Sequence, residues 1–497
     1  MIRVARLPSL EHRRPSAAFS ETDGTRLGRA IAPRVVAHPG SSGIFALRDA
    51  RDAFAARALL AQAAERSLDV QYYIWRRDMT GTLLFESLHA AADRGVRVRL
   101  LLDDNNTSGL DTILAALDSH PNIEVRLFNP FFIRKPRALG YLTDFARLNR
   151  RMHNKSFTAD NQATVVGGRN VGDEYFGATH DVLFADLDVI AVGPVVKEVS
   201  NAFDRYWASG SSYPAQQVLP PVRPGRIVEV SAAAQRIAQS PEAAAYTSAL
   251  RESSFVHDLL GGTLELDWVT AHMVSDDPAK GLGLAVPEAL LIHDLKRALG
   301  DPVTDFQLVS PYFVPTAAGV AWFRALAERG VEVKVLTNAL EATDVAFVHA
   351  GYAKRRKPLL KAGIRLYELR RAMTDSGPTK LAGSMGSSGS SLHAKTSSID
   401  RSRVFIGSFN FDPRSARLNT EMGFLLESPA LAEQMDALFQ SRIPMDAYEV
   451  RLSEEGRLGW VERRGAESLG YDTEPGTSLW KRAWVWFLSA LPIEWLL

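Results

Sequence analysis

One spaced group of residues occurs twice in the chain, and this duplication limits the possible fold more than any other feature of the sequence. In the first half, His153, Lys155 and Asp160 stand at positions i, i+2 and i+7. The second half repeats these residue types at the same spacing, in His393, Lys395 and Asp400. Each copy is followed at matching distances by a small residue and an asparagine, which are Gly168 and Asn170 and then Ser408 and Asn410. The repeat predicts two similar units in one chain.

Each copy of the motif comes after the same succession of predicted elements. In the first half, a β-rich run at 68–75 is followed by a stretch with apolar residues at helical spacing at 83–93 and by a second β-rich run at 96–103. The second half has the same order at 306–313, 320–328 and 331–336, and Arg-Gly-Val follows the helix in both halves. Strands that alternate with helices predict α/β units with mostly parallel sheets.

The residue types of the motif suit a phosphodiester substrate. On an extended strand, a histidine and a lysine two positions apart lie on the same face. Two copies placed together would supply a nucleophile, a proton donor and fixed positive charge around a phosphorus atom. A lysine beside each histidine would repel a bound cation, so we expect neither a metal nor another cofactor.

Composition excludes several other classes of protein. Lysine and arginine total 58 and aspartate and glutamate total 57, so the net charge of +1 does not indicate a nucleic-acid-binding protein. The absence of cysteine excludes disulfides, thiolate metal sites and a thiol nucleophile. The first 40 residues are rich in arginine and contain no apolar run, which predicts no secretory signal. No apolar stretch is long enough to predict a transmembrane helix.

The doubled motif resembles that of the phospholipase D superfamily, and the resemblance extends from about residue 40 to residue 428. It implies two pseudo-symmetric α/β/α lobes with one active site at their interface. It also implies a covalent phosphohistidine intermediate. By this resemblance His153 is the nucleophile and His393 the general acid and base, although the residues themselves fit either assignment. The residues that would stabilise developing charge are Lys155, Lys395, Asn170 and Asn410.

Each histidine is expected to need a carboxylate that holds its tautomer. Residues 419–421 resemble the Asn-x-Glu of the family, which assigns Glu421 to His393. Residues 186–195 resemble the family's aspartate followed by Gly-Pro, which assigns Asp186 to His153, with Asp181 as the second choice. Each acid also fits a solvated loop charge. We expect Asp160 and Asp400 to bond turn backbone and support the loop rather than react.

Further stretches narrow the resemblance. Residues 71–75 and 411–421 resemble bacterial cardiolipin synthases, and residues 474–497 resemble the cardiolipin synthase C branch. The resemblance implies a phosphatidyltransferase that makes cardiolipin from phosphatidylglycerol and a second phospholipid, either phosphatidylethanolamine or phosphatidylglycerol. The alternatives that stay open are a phospholipid hydrolase, a nuclease or other phosphodiesterase, and a membrane scaffold without catalysis.

We predict five segments, which are an irregular arm (1–40), a first phospholipase D-like lobe (41–215), a connector (216–244), a second lobe (245–450) and a tail (451–497). Four of the nine tryptophans lie in the last 18 residues. In a helix, one face would carry Trp480, Trp484, Phe487, Leu488 and Leu491, opposite Lys481 and Arg482. This pattern predicts either a membrane anchor or a helix packed on the protein. With the anchor, we expect a peripheral protein of the bacterial inner (cytoplasmic) membrane whose partners are phospholipids and the membrane surface.

Overall fold

The strands of the computed structural model form one sheet in each of two units. The structure describes residues 7–178, 185–343, 345–371, 392–491 and 494. Unit 1 comprises Met1–Ala178, Asp188–Leu291 and Leu418–Phe424. Unit 2 comprises Thr179–Leu187, Ile292–Arg417 and Leu425–Leu497. Each unit therefore contains one short segment from the half of the sequence that mainly builds the other unit.

The sheet of unit 1 is mixed. Its strands are Ser42–Leu47 (β1), Ser67–Ile74 (β2), Arg97–Asn106 (β3), Ile123–Phe128 (β4), Ser156–Ala159 (β5), Ala163–Gly167 (β6), Asp188–Val192 (β7), Ser212–Pro214 (β8) and Asp267–Ser275 (β9). The order across the sheet is β9, β1, β7, β6, β5, β2, β3, β4, β8. β2, β3 and β4 are parallel, with Val70 opposite Leu100 and Leu100 opposite Val125. The other pairings are antiparallel.

Helices connect these strands and cover the sheet. They are Arg26–Ala37 (α1), Ala50–Ala63 (α2), Met79–Asp93 (α3), Asp111–Asp118 (α4), Gly140–Leu148 (α5), Asp173–Phe176 (α6), Pro194–Trp207 (α7), Ala215–Val218 (α8), Arg226–Ala238 (α9), Pro241–Arg251 (α10) and Ser254–Gly261 (α11). Short 3-10 turns occur at Arg137–Leu139, Pro278–Leu282 and Pro287–Ala289. Parallel strands need a crossover connection, and α3 and α4 provide the two crossovers from β2 to β3 and from β3 to β4.

The core of unit 1 lies on both faces of the sheet. On one face, Leu101 packs with Phe203 and Trp207 of α7. On the other face, Arg57 of α2 donates from Nε to the hydroxyl of Tyr72 at 2.7 Å. Tyr72 stands opposite Leu102 in the parallel register, and Leu101 and Leu102 point to opposite faces because strand side chains alternate. Helices α2 and α7 therefore sandwich the sheet.

Unit 2 repeats this topology. Its strands are Asp305–Val309 (β10), Glu332–Asn338 (β11), Arg365–Leu369 (β12), Thr396–Ile399 (β13), Arg403–Gly407 (β14), Ala447–Leu452 (β16), Leu458–Arg464 (β17) and Glu467–Tyr471 (β18), while Met422–Glu427 (β15) begins in the segment that belongs to unit 1. The order β14, β13, β10, β11, β12 matches β6, β5, β2, β3, β4 of unit 1, and β10, β11 and β12 are likewise parallel. The predicted duplication and the α/β fold class are confirmed.

The helices of unit 2 follow the same plan. They are Leu291–Leu299 (α12), Thr316–Glu328 (α13), Ala346–Ala353 (α14), Arg356–Lys361 (α15), Pro413–Arg417 (α16), Pro429–Gln440 (α17), Ile443–Asp446 (α18) and Leu479–Ala490 (α19). α13 crosses from β10 to β11, as α3 crosses from β2 to β3. Beyond β12 the sheet continues through the antiparallel strands β16, β17 and β18.

The unit boundaries differ from the segments predicted from the sequence. The predicted connector (216–244) is largely helical, and it belongs to unit 1 together with residues 245–291. The reason is that β9 extends the sheet of unit 1, with Gly43 of β1 opposite Trp268. The predicted irregular arm is wrong over Arg26–Ala37, where Thr25 caps α1 by accepting a hydrogen bond from the Gly28 N–H. The first part of the predicted tail forms β17 and β18.

Helix α19 packs on the protein along one narrow face. Val485 and Leu488 are buried and cluster with Leu340 and Ala350 of unit 2. The exposed large apolar side chains of this helix are Leu479, Trp480, Trp484, Trp486 and Phe487. Leu488, which the sequence placed with the tryptophans, lies on the buried face, while Trp486 joins the exposed face. Among the described residues, no helix is both long enough and apolar enough to cross a membrane.

Candidate active site

His153 lies in unit 1, just before β5, and pairs with a carboxylate. Met152 forms an isolated parallel bridge with Thr420. The His153 N–H donates to the Thr420 carbonyl at 2.9 Å, and His153 Nδ1 lies 2.8 Å from Oε2 of the next residue, Glu421. Both side chains are buried. A carboxylate at Nδ1 places the imidazole proton there and the lone pair on Nε2, which is the tautomer that a nucleophile needs.

His393 has the same arrangement in unit 2. Leu392 forms an isolated parallel bridge with Ala185, and the His393 N–H donates to the Ala185 carbonyl at 2.9 Å. His393 Nδ1 lies 2.5 Å from Oδ2 of the following residue, Asp186. The second oxygen of Asp186 accepts a hydrogen bond from the Leu187 N–H at 2.8 Å. Each unit therefore holds one oriented imidazole next to one buried carboxylate.

The two carboxylates are exchanged relative to the sequence prediction. Asp186 was assigned to His153 and Glu421 to His393, and both pairings are wrong. The physical reason is the path of the chain, because the segment with Glu421 belongs to unit 1 and the segment with Asp186 belongs to unit 2. The acid that follows one motif in the sequence therefore pairs with the histidine of the other motif. The second choice, Asp181, lies outside the described residues.

Both motif lysines are buried beside their histidines. Lys155 Nζ donates to the His153 carbonyl at 2.5 Å and lies 5.6 Å from the centre of the Tyr73 ring. Lys395 Nζ donates to the His393 carbonyl and lies 3.1 Å from His393 Nδ1. The histidines and lysines precede β5 and β13 rather than lying within these strands. Each copy thus places one ammonium group next to one imidazole in a site from which water is largely excluded, where its field is strong.

The motif asparagines are buried and only partly hydrogen-bonded. Asn170 Oδ1 accepts from the Ile74 N–H at 3.1 Å, and its Nδ2 has no hydrogen-bond partner among the described residues. Asn410 likewise has one buried amide atom, Oδ1, without a partner in that part of the chain. Gly168 and Ser408, which precede the asparagines, are buried as well. Nδ2 of Asn170 is a buried donor suited to an oxygen of a bound phosphoryl group, whereas the unpartnered atom of Asn410 is an acceptor.

The motif aspartates stand in the turns after β5 and β13 and bind the backbone that leads into β2 and β10. The Asp160 carboxylate accepts hydrogen bonds from the backbone N–H groups of Glu65, Arg66 and Ser67 at 2.7 to 3.2 Å. Asp400 accepts from the corresponding groups of Val303, Thr304 and Asp305 at 2.7 to 3.3 Å. Both aspartates have φ +51°, a conformation that aspartate adopts more readily than most residues. The aspartates thus have a supporting role, as expected from the sequence, but they bind a segment distant in the chain rather than their own turn.

Buried acids in unit 1 hold the site in place and were missed by the sequence analysis. Asp276 accepts from the Glu421 N–H and from Lys280 Nζ, both at 2.8 Å, and burial raises the pKa of Asp276 to about 6 while Lys280 lowers it. Asp103 accepts from the Met152 N–H at 2.7 Å. Asp103 could have been found, because an acid near the carboxyl end of a buried parallel strand often faces a functional site. Asp276 has no comparable local pattern.

One further group of residues has the spacing of metal ligands. Possible ligand atoms of His89, Asp93 and His120 lie within 4.8 Å of one another in unit 1. The Asn122 N–H donates to His120 Nδ1 at 3.1 Å, which leaves the imidazole proton on Nε2, the atom 3.2 Å from Asp93. This is the pattern of a hydrogen-bonded imidazole rather than of a metal ligand, whose coordinating nitrogen carries no proton.

Comparison with known proteins places these residues in a family context. The family described as "Cardiolipin synthase, PLD-like domain" matches the chain twice, at residues 57–207 and 291–443. The chain is similar to cardiolipin synthase C of Escherichia coli (strain K12), with 53% identity over 474 residues that cover 95% of this chain and 100% of the relative. It is also similar to cardiolipin synthase A of Pseudomonas entomophila (strain L48), with 26% identity over 80% of this chain and 67% of the relative.

A solved structure supports the fold. The crystal structure of phosphatidylserine synthase from Haemophilus influenzae Rd KW20 matches this chain with a TM-score of 0.56. The match covers 85% of this chain and 91% of that chain at 14% sequence identity. At this identity the likeness concerns the fold alone.

Proposed function

The chain belongs to the cardiolipin synthase family of phospholipase D-like phosphatidyltransferases, and on this premise we propose that it makes cardiolipin by transferring a phosphatidyl group to phosphatidylglycerol. The observation that carries the proposal is the pair of matching histidine–carboxylate arrangements, one in each unit. Two histidines that are each held at Nδ1 by a carboxylate suit a transfer in two steps. One histidine carries the phosphatidyl group and the other moves protons.

The first step forms the covalent intermediate. Nε2 of His153 attacks the phosphorus of the donor phospholipid, so that a P–N bond forms and the P–O bond to the donor's headgroup alcohol breaks. His393 gives its Nε2 proton to the leaving oxygen. Asp186 stabilises the protonated imidazole of His393 before this transfer, because a carboxylate 2.5 Å from Nδ1 favours the imidazolium.

The second step is the reverse of the first with a new alcohol. His393 takes the proton from a headgroup hydroxyl of phosphatidylglycerol, and that oxygen attacks the phosphorus. The P–N bond breaks, which releases cardiolipin and restores His153. Lys155, Lys395 and the amide donor of Asn170 stabilise the charge on the phosphoryl oxygens in both steps.

The donor can be identified by isotope labelling. Purified protein is incubated with vesicles of unlabelled phosphatidylglycerol and phosphatidylethanolamine with deuterated acyl chains, and the lipids are analysed by mass spectrometry. Deuterated cardiolipin together with released ethanolamine would identify phosphatidylethanolamine as donor, whereas unlabelled cardiolipin and glycerol would identify phosphatidylglycerol. Phosphatidic acid as the sole product would instead indicate a hydrolase, and the absence of any lipid product would overturn the proposal.

The roles of the histidines need a separate experiment. In a His393→Ala variant we expect an acid-labile phosphatidyl adduct on the peptide that contains His153, because the leaving group can depart slowly while the acceptor is not activated. A His153→Ala variant should show no adduct and no turnover. His257→Ala, at an exposed position of α11, is the control and should behave like the unchanged protein. An adduct on His393 in place of His153 would reverse the two roles.

We also propose that α19 attaches the protein to the inner membrane as a peripheral protein. Trp480 is 86% exposed and Trp484 51% exposed, and tryptophan side chains are favoured at the membrane–water interface. Lys481 and Arg482 flank them, as in amphipathic helices that lie in the headgroup layer. Changing Trp480, Trp484 and Phe487 together to serine should reduce sedimentation with phosphatidylglycerol vesicles at least tenfold. Equal sedimentation of this variant and the unchanged protein would refute this attachment.

A further inference from the structure

Unit 1 carries a second exposed apolar surface, on two segments close to the first motif. We call it the rim surface, and its side chains are Phe132, Leu139, Leu142, Phe145, Leu282, Leu284 and Val286. Leu142 is 82% exposed and Leu284 72% exposed. Large apolar side chains clustered at such exposure indicate a contact surface, because isolated proteins seldom leave contiguous apolar patches in water.

The two segments of the rim surface are joined by hydrogen bonds. Asn129 Nδ2 donates to the Arg150 carbonyl at 2.9 Å and to the Gly281 carbonyl at 2.8 Å. Arg150 Nη1 donates to the Lys280 carbonyl at 3.3 Å. These bonds tie the end of α5 to the 3-10 turn Pro278–Leu282. The two segments that carry the seven side chains are therefore held next to each other.

The inner side of the first segment is anchored by polar contacts, which turn its apolar side chains outward. The Phe131 N–H donates to Asp104 Oδ2 at 2.7 Å, and the Tyr141 hydroxyl donates to Asn105 Oδ1 at 2.9 Å. Arg137 Nη2 donates to Asp111 Oδ1 at 3.0 Å. A segment that satisfies its polar groups on one side and exposes apolar groups on the other is organised for contact with an apolar phase.

This segment carries a small excess of positive charge. Residues 130–151 contain six arginine or lysine residues and one acid, Asp144, whereas the whole chain has a net charge of only +1. Four of these six cations are ion-paired: Arg134 and Arg137 with Asp104 and Asp111, Arg147 with Asp144, and the buried Arg151 with Asp103. Lys135 is exposed and has no ion pair within the described ranges. An exposed lysine among exposed aromatic and aliphatic side chains matches a bilayer that contains anionic phospholipid headgroups.

Both segments of the rim surface lead directly to His153. Arg150 stands three residues before His153, a distance that the chain can span with at most about 11 Å. The other segment begins at Asp276, which binds the N–H of Glu421, the partner of His153. We infer that the rim surface rests on an anionic bilayer and that the phospholipids that react at His153 enter along it. This inference rests on the proposed phosphatidyltransferase function for its substrate and on the geometry of unit 1 for its position.

Site-specific labelling tests the contact without interference from α19. Because the sequence contains no cysteine, Leu142→Cys creates a single site for an environment-sensitive fluorophore. The control is Val36→Cys, at a position of α1 that is 79% exposed. With vesicles that contain phosphatidylglycerol and brominated lipids, we expect at least twofold quenching at position 142 and none at position 36. Equal signals at the two positions would overturn the inference.

A kinetic test separates lipid entry from the chemistry. In a Leu142→Asp, Phe145→Asp double variant, the ratio of turnover on phosphatidylglycerol vesicles to turnover on monomeric short-chain phosphatidylglycerol should fall at least tenfold. A Leu284→Asp, Val286→Asp double variant changes the other segment and should give the same result. It keeps the test informative if the first variant folds poorly. The control is Val36→Asp, Val228→Asp. An unchanged ratio in both rim variants would contradict the inference. If the unchanged protein makes no cardiolipin, the proposed function fails and the labelling experiment alone decides the membrane contact.

Discussion

His153 Nδ1 lies 2.8 Å from Oε2 of Glu421, a residue 268 positions further along the chain. The pair is buried within unit 1, and the bridge between Met152 and Thr420 fixes the backbones of the two partners. The orientation of the His153 imidazole therefore depends on a segment that enters unit 1 from the second half of the sequence.

Replacing Glu421 by glutamine should reduce cardiolipin formation by about 10²- to 10⁴-fold, because a neutral amide no longer holds the proton on Nδ1 or stabilises a charged imidazole. The protein should remain folded, since the Glu421 backbone keeps its bond to Asp276. Turnover is measured by mass spectrometry of the product and folding by circular dichroism. Glu433→Gln, at an exposed position of α17, is the matched control. Activity of Glu421→Gln within threefold of the control would contradict the assigned role.

Asn170 should contribute through its unpartnered amide donor. Asn170→Ala is expected to lower kcat by about 10²- to 10³-fold, the usual cost of one donor to a developing negative charge. Asn170→Asp should lower kcat further, because it keeps the acceptor for the Ile74 N–H but replaces the donor by a negative charge. Steady-state kinetics and a thermal melt of each variant separate this effect from instability. A kcat of Asn170→Asp above half of the original value would rule out contact with the phosphoryl group.

Asp160 and Asp400 offer a comparison within one protein. Asp160 is fully buried, whereas Asp400 is partly exposed, although each accepts from three backbone N–H groups. Asp160→Ala should lower the free energy of unfolding by about 3 kcal/mol and Asp400→Ala by about 1 kcal/mol, because water can replace the lost acceptor only at the exposed site. The strain of alanine at positive φ is common to both variants and cancels. Denaturant unfolding measures the difference, and the opposite order would contradict this account.

Asp78 should make stability depend on pH. Burial raises the pKa of Asp78 to about 6 in the folded protein, although the hydrogen bond from the Asp173 N–H opposes this rise. The folded state then binds the Asp78 proton more tightly than the unfolded state, so this contribution to stability is present below about pH 4 and is lost as the pH rises to about 6. Asp78→Asn removes this part of the pH dependence.

The expected result is that the stability of Asp78→Asn relative to the unchanged protein increases from pH 4 to pH 7. Asparagine keeps the ability to cap α3, which the Asp78 side chain does by accepting from the Gly81 N–H. The measurement is denaturant unfolding at four pH values, with the exposed Asp301→Asn as control. A relative stability that is constant over this range would show that Asp78 ionises normally in the folded protein.

The sequence was sufficient to predict the elements whose residues form a local pattern. The strands β2, β3, β10 and β11 and the helices between them lie close to the predicted runs, because apolar periodicity and a glycine after each helix are local signals. The supporting role of Asp160 was also predicted, but the backbone N–H groups that it binds lie 93 to 95 positions earlier in the chain, which no local pattern shows.

The predictions that were wrong or missing concern contacts between residues that are distant in the sequence. Glu421 and Asp186 were recognised as partners of the histidines but were assigned to the wrong ones, because the order of residues along the chain does not show which unit a segment joins. Asp276 was missed for a similar reason. Its role comes from Glu421 and Lys280, and neither the spacing nor the type of its neighbours in sequence indicates a buried acid.

The exchange of short segments between the two units has a consequence for how such a chain could arise. In a protein with only one copy of the motif, the carboxylate that pairs with the histidine would have to come from a second copy of the chain. It could complete its histidine–carboxylate pair only as a homodimer, with each subunit donating the segment that the other lacks. Fusion of two such genes would turn that intersubunit exchange into the intrachain one seen here. The fused halves would then be unable to separate, since residues 1–215 expressed alone would leave His153 without Glu421.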